Sequence, residues 1–100
     1  MYKNIEICEY LQNRDDNDIL VDLRDEITFQ FGTVLNAINI PLNNLSELYK
    51  LPKDRQICVF CQYGEFSPQA AELLDMEGYN AVNLTGGYIK YLRGVMENNI

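Results

Sequence analysis

Four short apolar runs, each closed by a breaker or a polar turn, constrain the fold more than any other feature of this chain. They are Ile19-Leu20-Val21-Asp22-Leu23-Arg24, Ala37-Ile38-Asn39-Ile40 before Pro41, Gln56-Ile57-Cys58-Val59-Phe60-Cys61, and Ala81-Val82-Asn83-Leu84 before Gly86-Gly87. Runs this short and rich in β-branched residues read as strands buried on both faces. Ile5-Glu6-Ile7 can add a short edge strand. Helical patterns fill the gaps: Cys8 to Asn13, Asp25 to Phe31 with acidic residues in its first turn, and Leu42 to Leu51 with leucines at 42, 45, 48 and 51. Pro68 to Gly78 is the clearest, with Ser67 placed as N-cap, Pro68 in the first turn and Gly78 just past the end. A last helix spans Gly87 to Asn98, with Ile89, Tyr91, Leu92, Val95 and Met96 on or near one face. Strands alternating with helices over short connections predict a three-layer α/β domain: a central, mainly parallel sheet of four or five strands covered by helices on both faces. Ligands then meet the loops at the carboxyl ends of the strands.

The chain has 100 residues, one domain by length, 1–100, and folding a chain of that size buries about 65% of its surface. It holds no repeat and no linker. No apolar run approaches the ~18 residues of a membrane span, and the N-terminus lacks the apolar stretch of a signal peptide, so the expected location is the cytoplasm. The net charge of −7 disfavours nucleic acid and anionic membranes as partners and repels free anionic substrates. The chain contains three cysteines and no histidine. An odd cysteine count in a reducing compartment argues against a disulfide framework. The missing imidazole removes Cys-His and Ser-His-Asp hydrolases and most zinc sites, so neither metal nor cofactor is expected.

Chemistry concentrates in Cys61-Gln62-Tyr63-Gly64-Glu65-Phe66-Ser67. Cys61 ends the most apolar strand, Gly64 lets the backbone bend, and a helix opens at Ser67-Pro68. Such a segment can wrap backbone amides and the positive end of a helix around the sulfur, favouring thiolate over thiol without any histidine. The alternative is a buried structural cysteine, since free cysteine is among the most buried residue types.

The order and spacing of motifs along nearly the whole chain resemble rhodanese-like domains. Asp22-Leu23-Arg24, then Gly32, then Ala37-Ile38-Asn39-Ile40-Pro41 stand in the family's register. The loop is similar to the family's Cys-x-x-Gly-x-Arg-Ser at Cys61, Gly64 and Ser67. Gly78-Tyr79, Val82-Asn83-Leu84 and Gly86-Gly87 match the family's later turn, strand and glycine pair. The resemblance implies a sulfurtransferase or sulfur carrier: Cys61 takes sulfane sulfur as a persulfide and passes it to a thiol or protein acceptor. It makes Gln62, Tyr63, Gly64, Glu65, Phe66 and Ser67 the substrate-binding cradle, and Asp22 and Arg24 a supporting polar pair. The implied partners are a sulfur-donor or acceptor protein or a small thiol.

Departures from the pattern fall mainly in the loop. Phe66 replaces the usual Arg and Glu65 adds a carboxylate, which predicts poor activity with the thiosulfate dianion. A protein persulfide, docked against Phe66 and Tyr63, suits this loop better. Thr33, Asn36, Thr28 and Tyr91 stand at positions where the family has His, Gly, Glu and Trp, and read as structural changes. A phosphatase of similar loop shape needs Arg where Ser67 stands. Cys58 and Cys61 form a Cys-x-x-Cys, but Cys58 lies inside a strand and its side chain points to the opposite face, which predicts core packing. Cys8 is expected to pack under the first helix. Three functions compete: a persulfide-forming transferase, a catalytically weak or silent rhodanese-like binding module, and a dithiol redox protein using Cys58 and Cys61.

Overall fold

A computed structural model describes residues 1–98. Five strands form a single sheet: β1 (Lys3–Glu6), β2 (Ile19–Asp22), β3 (Ile38–Asn39), β4 (Ile57–Phe60) and β5 (Ala81–Thr85). Their spatial order is β1-β5-β4-β2-β3 and every pairing is parallel. The expected α/β architecture is present, with five strands and no antiparallel pair among the described residues. The helices are α1 (Ile7–Gln12), α2 (Glu26–Phe31), α3 (Ser67–Met76) and α4 (Gly87–Met96). No helix among the described residues is long and apolar enough to cross a membrane.

Strand β4 shows why its sequence reads as an unbroken apolar run. Ile57, Val59 and Cys61 enter the core on one face with Ala70, Ala71 and Leu74 of α3. Cys58 and Phe60 enter the core on the other face with Ile7 and Tyr10 of α1 and Tyr88 of α4. A strand covered on both sides has no polar face to alternate with. Cys58 and Cys61 therefore lie in different cores, as strand periodicity predicts. Cys8 is buried on α1 itself, with its thiol 3.5 Å from the Lys90 carbonyl of α4.

Three local expectations change. Ser67 does not cap α3: the N-cap is Phe66, with no side-chain cap bond, and Ser67 is the first helical residue. Its buried hydroxyl instead donates to Asn83 Oδ1 of β5 at 2.6 Å, and Asn83 Nδ2 donates to Asn4 of β1 at 2.9 Å. A tertiary partner thus wins the hydroxyl that a local cap would have used. Leu42–Lys50 forms 3-10 turns broken by a kink at Asn44 rather than an α-helix, and its leucines recur every three residues, the 3-10 period. Ile7 begins α1 rather than closing β1.

Asn36 takes a left-handed φ of 66°, so the turn that the family builds on a second glycine survives with a residue that tolerates that region. Helix α2 is capped by Asp25, whose carboxylate accepts from the Thr28 amide at 2.9 Å and its hydroxyl at 2.8 Å. None of its six residues is buried.

Leu74 is fully buried between α3 and β4. Leu74→Ala is expected to lower stability by about 2–5 kcal/mol, read as a lower urea midpoint at unchanged slope.

Candidate active site at the carboxyl ends of the strands

The register of the sheet brings the candidate residues together. Asp22 pairs with Phe60 across β2 and β4, and the Leu23 amide donates to the Phe60 carbonyl at 2.9 Å. Arg24 and Cys61 therefore leave adjacent strands side by side. The chain after β3 is drawn to the same end by Asn39, whose side-chain amide donates to the Asp22 and Arg24 carbonyls at 2.9 Å each.

These segments enclose a cleft of about 580 Å³ that includes Leu23, Arg24, Asp25, Thr28, Pro41 and Leu42 on one side and Cys61, Gln62, Tyr63, Glu65 and Phe66 on the other. Cys61 is only 2% exposed, so it forms the floor of the cleft. The Phe66 amide donates to Cys61 Sγ at 3.4 Å, one amide where the sequence suggested several. Tyr63 and Phe66 stand exposed at the rim.

Gly64 does not line the cleft. Its φ of 86° turns the loop back onto α4, where a Cβ on it would come within 3.2 Å of the Gly86 amide nitrogen. Gly87 carries the tighter constraint: a Cβ there would meet Cys61 O, Gln62 O and Gly64 N, each at 2.7 Å. The amides of Tyr88 and Ile89, in the first turn of α4, donate to the Cys61 and Gln62 carbonyls at 2.9 and 3.0 Å. The loop is thus clamped from below by a helix start whose first donors would otherwise lack partners. Sequence reasoning used Gly86-Gly87 as a strand stop and a family match but missed this clamp; a glycine pair opening a helix is the signal that marks it.

Asp22 and Arg24 form a buried ion pair beside the loop. Arg24 Nη2 lies 2.7 Å from Asp22 Oδ2, and Nε is 2.9 and 3.1 Å from the two carboxylate oxygens. The guanidinium also donates to the Gly32 carbonyl at 2.6 Å and to Gln62 Oε1 at 3.3 Å, and sits 3.8 Å above the Tyr88 ring. Thr33 Oγ1 donates to Asp22 Oδ2 at 2.7 Å, an interaction the sequence did not disclose. The sequence also missed Asp25, Thr28, Pro41 and Leu42 as parts of the cleft wall.

Charge around the cleft is asymmetric. Arg24 is spent on Asp22, while Asp25 and Glu65 carry the free charge. The Thr28 amide bonded to Asp25 holds its carboxyl below the ordinary carboxylate value. On the far side of the sheet, burial pushes the Cys58 thiol up to about 12, which leaves it protonated and inert as a nucleophile. Among the described residues no group of His, Cys, Asp and Glu could hold a metal ion.

Comparison with known proteins agrees with this geometry. The family model described as Rhodanese-like domain matches residues 7–93. A protein named sulfurtransferase from Allochromatium vinosum is 34% identical over 77 residues, covering 75% of this chain and 72% of that one. An adenylyltransferase and sulfurtransferase, uba4, of Ogataea parapolymorpha is 37% identical over 82 residues, 79% of this chain, though the match spans only 21% of that larger protein. Among solved structures, a rhodanese-related protein of Thermoplasma volcanium superposes with a TM-score of 0.83 at 31% identity, covering 92% of each chain. The human single-domain sulfurtransferase TSTD1 superposes at 0.70 with 26% identity, covering 85% of this chain and 88% of that one.

The ion pair supports the loop through its charges, and breaking it strands a buried guanidinium. Asp22→Ala is expected to cost about 3–5 kcal/mol, whereas Thr33→Ala, which removes one of several bonds to that carboxylate, costs about 1 kcal/mol. Parallel urea titrations of the two variants measure the difference.

Proposed function

This chain belongs to the rhodanese-like domain family, and from that membership we propose that it is a sulfurtransferase whose Cys61 carries sulfane sulfur as a persulfide. The Cys61 thiolate attacks the outer sulfur of a donor persulfide. A Cys61 S–S bond forms, the donor's S–S bond breaks, and the electron pair leaves on the donor thiolate. An acceptor thiolate then attacks the outer sulfur of Cys61–S–S⁻ and expels the Cys61 thiolate. Sulfur moves at the zero oxidation level, so no external oxidant or reductant is consumed.

The observation that carries this reading is the position of Cys61. It follows the central strand β4, lies at the floor of the cleft, accepts the Phe66 amide at 3.4 Å and stands before the first residue of α3. An amide donor and a helix start favour negative charge on sulfur, whether on the thiolate or on the terminal atom of a persulfide. In this role Gln62, Tyr63, Glu65, Phe66 and Ser67 shape or support the binding loop, Gly64 provides its turn, and Asp22 and Arg24 hold its base through Gln62. Relatives named sulfurtransferase support the same chemistry.

Thiosulfate is a poor substrate in this account. The cleft offers it Glu65 and Asp25, and the one cation lining it among the described residues, Arg24, is neutralised by Asp22. Replacing a bidentate Arg by Phe66 weakens dianion binding by about 1–3 kcal/mol. The same absent cation, with the deep burial of Cys61, is what favours the second reading, a silent binding module.

Intact mass spectrometry separates the two. After exposure of the reduced protein to polysulfide, a single added sulfur is expected on Cys61, removable by cyanide and absent from Cys61→Ser; a protein that takes sulfur from neither polysulfide nor a persulfidated protein is the silent module. Phe66→Arg is expected to raise thiosulfate turnover about tenfold or more, and an unchanged rate of cyanide-trapped thiocyanate would refute the charge argument.

A further inference from the structure

We propose that the cleft over Cys61 receives a cysteine presented by a basic, partly apolar polypeptide segment, so that the sulfur partner is a cationic protein rather than a small anion. This inference rests on the sulfurtransferase reading and adds the chemistry of the partner.

Depth is the first support. Cys61 is 2% exposed at the floor of the cleft, and only a slender group reaches it. A cysteine side chain projecting from a polypeptide has that shape, and the surrounding residues of the segment then rest on the rim.

The rim supplies the second support. Among the described residues both unpaired charges that line the cleft are acidic, Asp25 and Glu65. The chain as a whole carries −7. A cationic segment is steered toward such a mouth, whereas a second copy of this chain, a nucleic acid or an anionic membrane is repelled.

Apolar surface beside the cleft is the third. Helix α2 buries none of its residues, and Phe31 is 89% exposed. Phe31 lies one helical turn from Thr28, which lines the cleft, so the two share a helix face. Across the mouth, Tyr63 is 63% and Phe66 49% exposed. Aromatic side chains flanked by charge are the composition of protein-binding surfaces. An apolar rim with an acidic mouth selects a segment that mixes leucine-like and lysine-like residues around its cysteine.

The test uses two acceptor peptides, one with leucines and lysines around a single cysteine and the other with leucines and glutamates. The protein is loaded with sodium tetrasulfide, the added sulfur on Cys61 is verified by mass, and the rate of transfer to each peptide is measured at low salt. The lysine peptide is expected to discharge the persulfide about tenfold faster, with the advantage falling toward parity in high salt. Because a lysine-flanked thiol is intrinsically more ionised, the deciding comparison is Asp25→Asn/Glu65→Lys, in which Asn retains the helix cap. That variant is expected to lose most of the preference. Equal rates in the parent protein, or an undiminished preference in the variant, would overturn the proposal. Peptides carrying serine in place of cysteine are also compared by fluorescence anisotropy. Tighter binding of the lysine form supports the partner assignment and equal binding refutes it, even if Cys61 takes no sulfur from tetrasulfide, a result that would count against the transferase reading alone.

Discussion

A buried guanidinium holds the functional end of this fold together. Arg24 reaches back to Asp22 at the end of β2, across to the Gly32 carbonyl after α2, forward to Gln62 in the cysteine loop, and down onto Tyr88 of α4. Four segments thus share one charge, two of them distant in sequence. Removing that charge from water is tolerable only because the Asp22 carboxylate answers it and Thr33 satisfies another acceptor position. The cysteine loop inherits its position from this knot on one side and from the amides of α4 on the other.

With the cation consumed by structure, the cleft is lined by an amide donor to Cys61, aromatic rings and carboxylates. In the proposed role, such a site meets anionic sulfur through the Phe66 amide, 3.4 Å from Cys61 Sγ, while its carboxylates repel anions at longer range. The two effects act on different length scales and do not conflict. In the proposed function the nearby amide acts on the sulfur once it is bound, and the exposed carboxylates act on the molecules that approach with it.

Much of this was legible in the sequence, because the strands are doubly buried and so appear as compact apolar runs, and because Gly64 and Gly78 stand where the backbone takes left-handed φ. The opposite facing of Cys58 and Cys61 follows from strand periodicity alone. What escaped depends on contacts between distant segments. Ser67 has the residue type of a helix cap, yet Asn83 on β5 captures its hydroxyl. Gly87 is required by the carbonyls of Cys61 and Gln62, some 25 positions earlier. Thr28 and the cap residue Asp25 belong to a short helical segment that buries none of its residues, and no local pattern distinguishes such a helix from one with a buried face.

The sheet that separates the cysteines has a further chemical consequence. Cys8 and Cys58 both belong to the core on the α1–α4 side, while Cys61 belongs to the core on the α3 side. No second thiol of the described chain can reach Cys61 without unfolding a strand. A sulfenic acid formed there by peroxide has no resolving cysteine within reach among the described residues, so its rescue falls to thiols arriving from solution through the same narrow mouth. The geometry that would keep a sulfur carried on Cys61, as proposed, from being lost to an internal disulfide also leaves the site without a second thiol among the described residues to defend it against overoxidation.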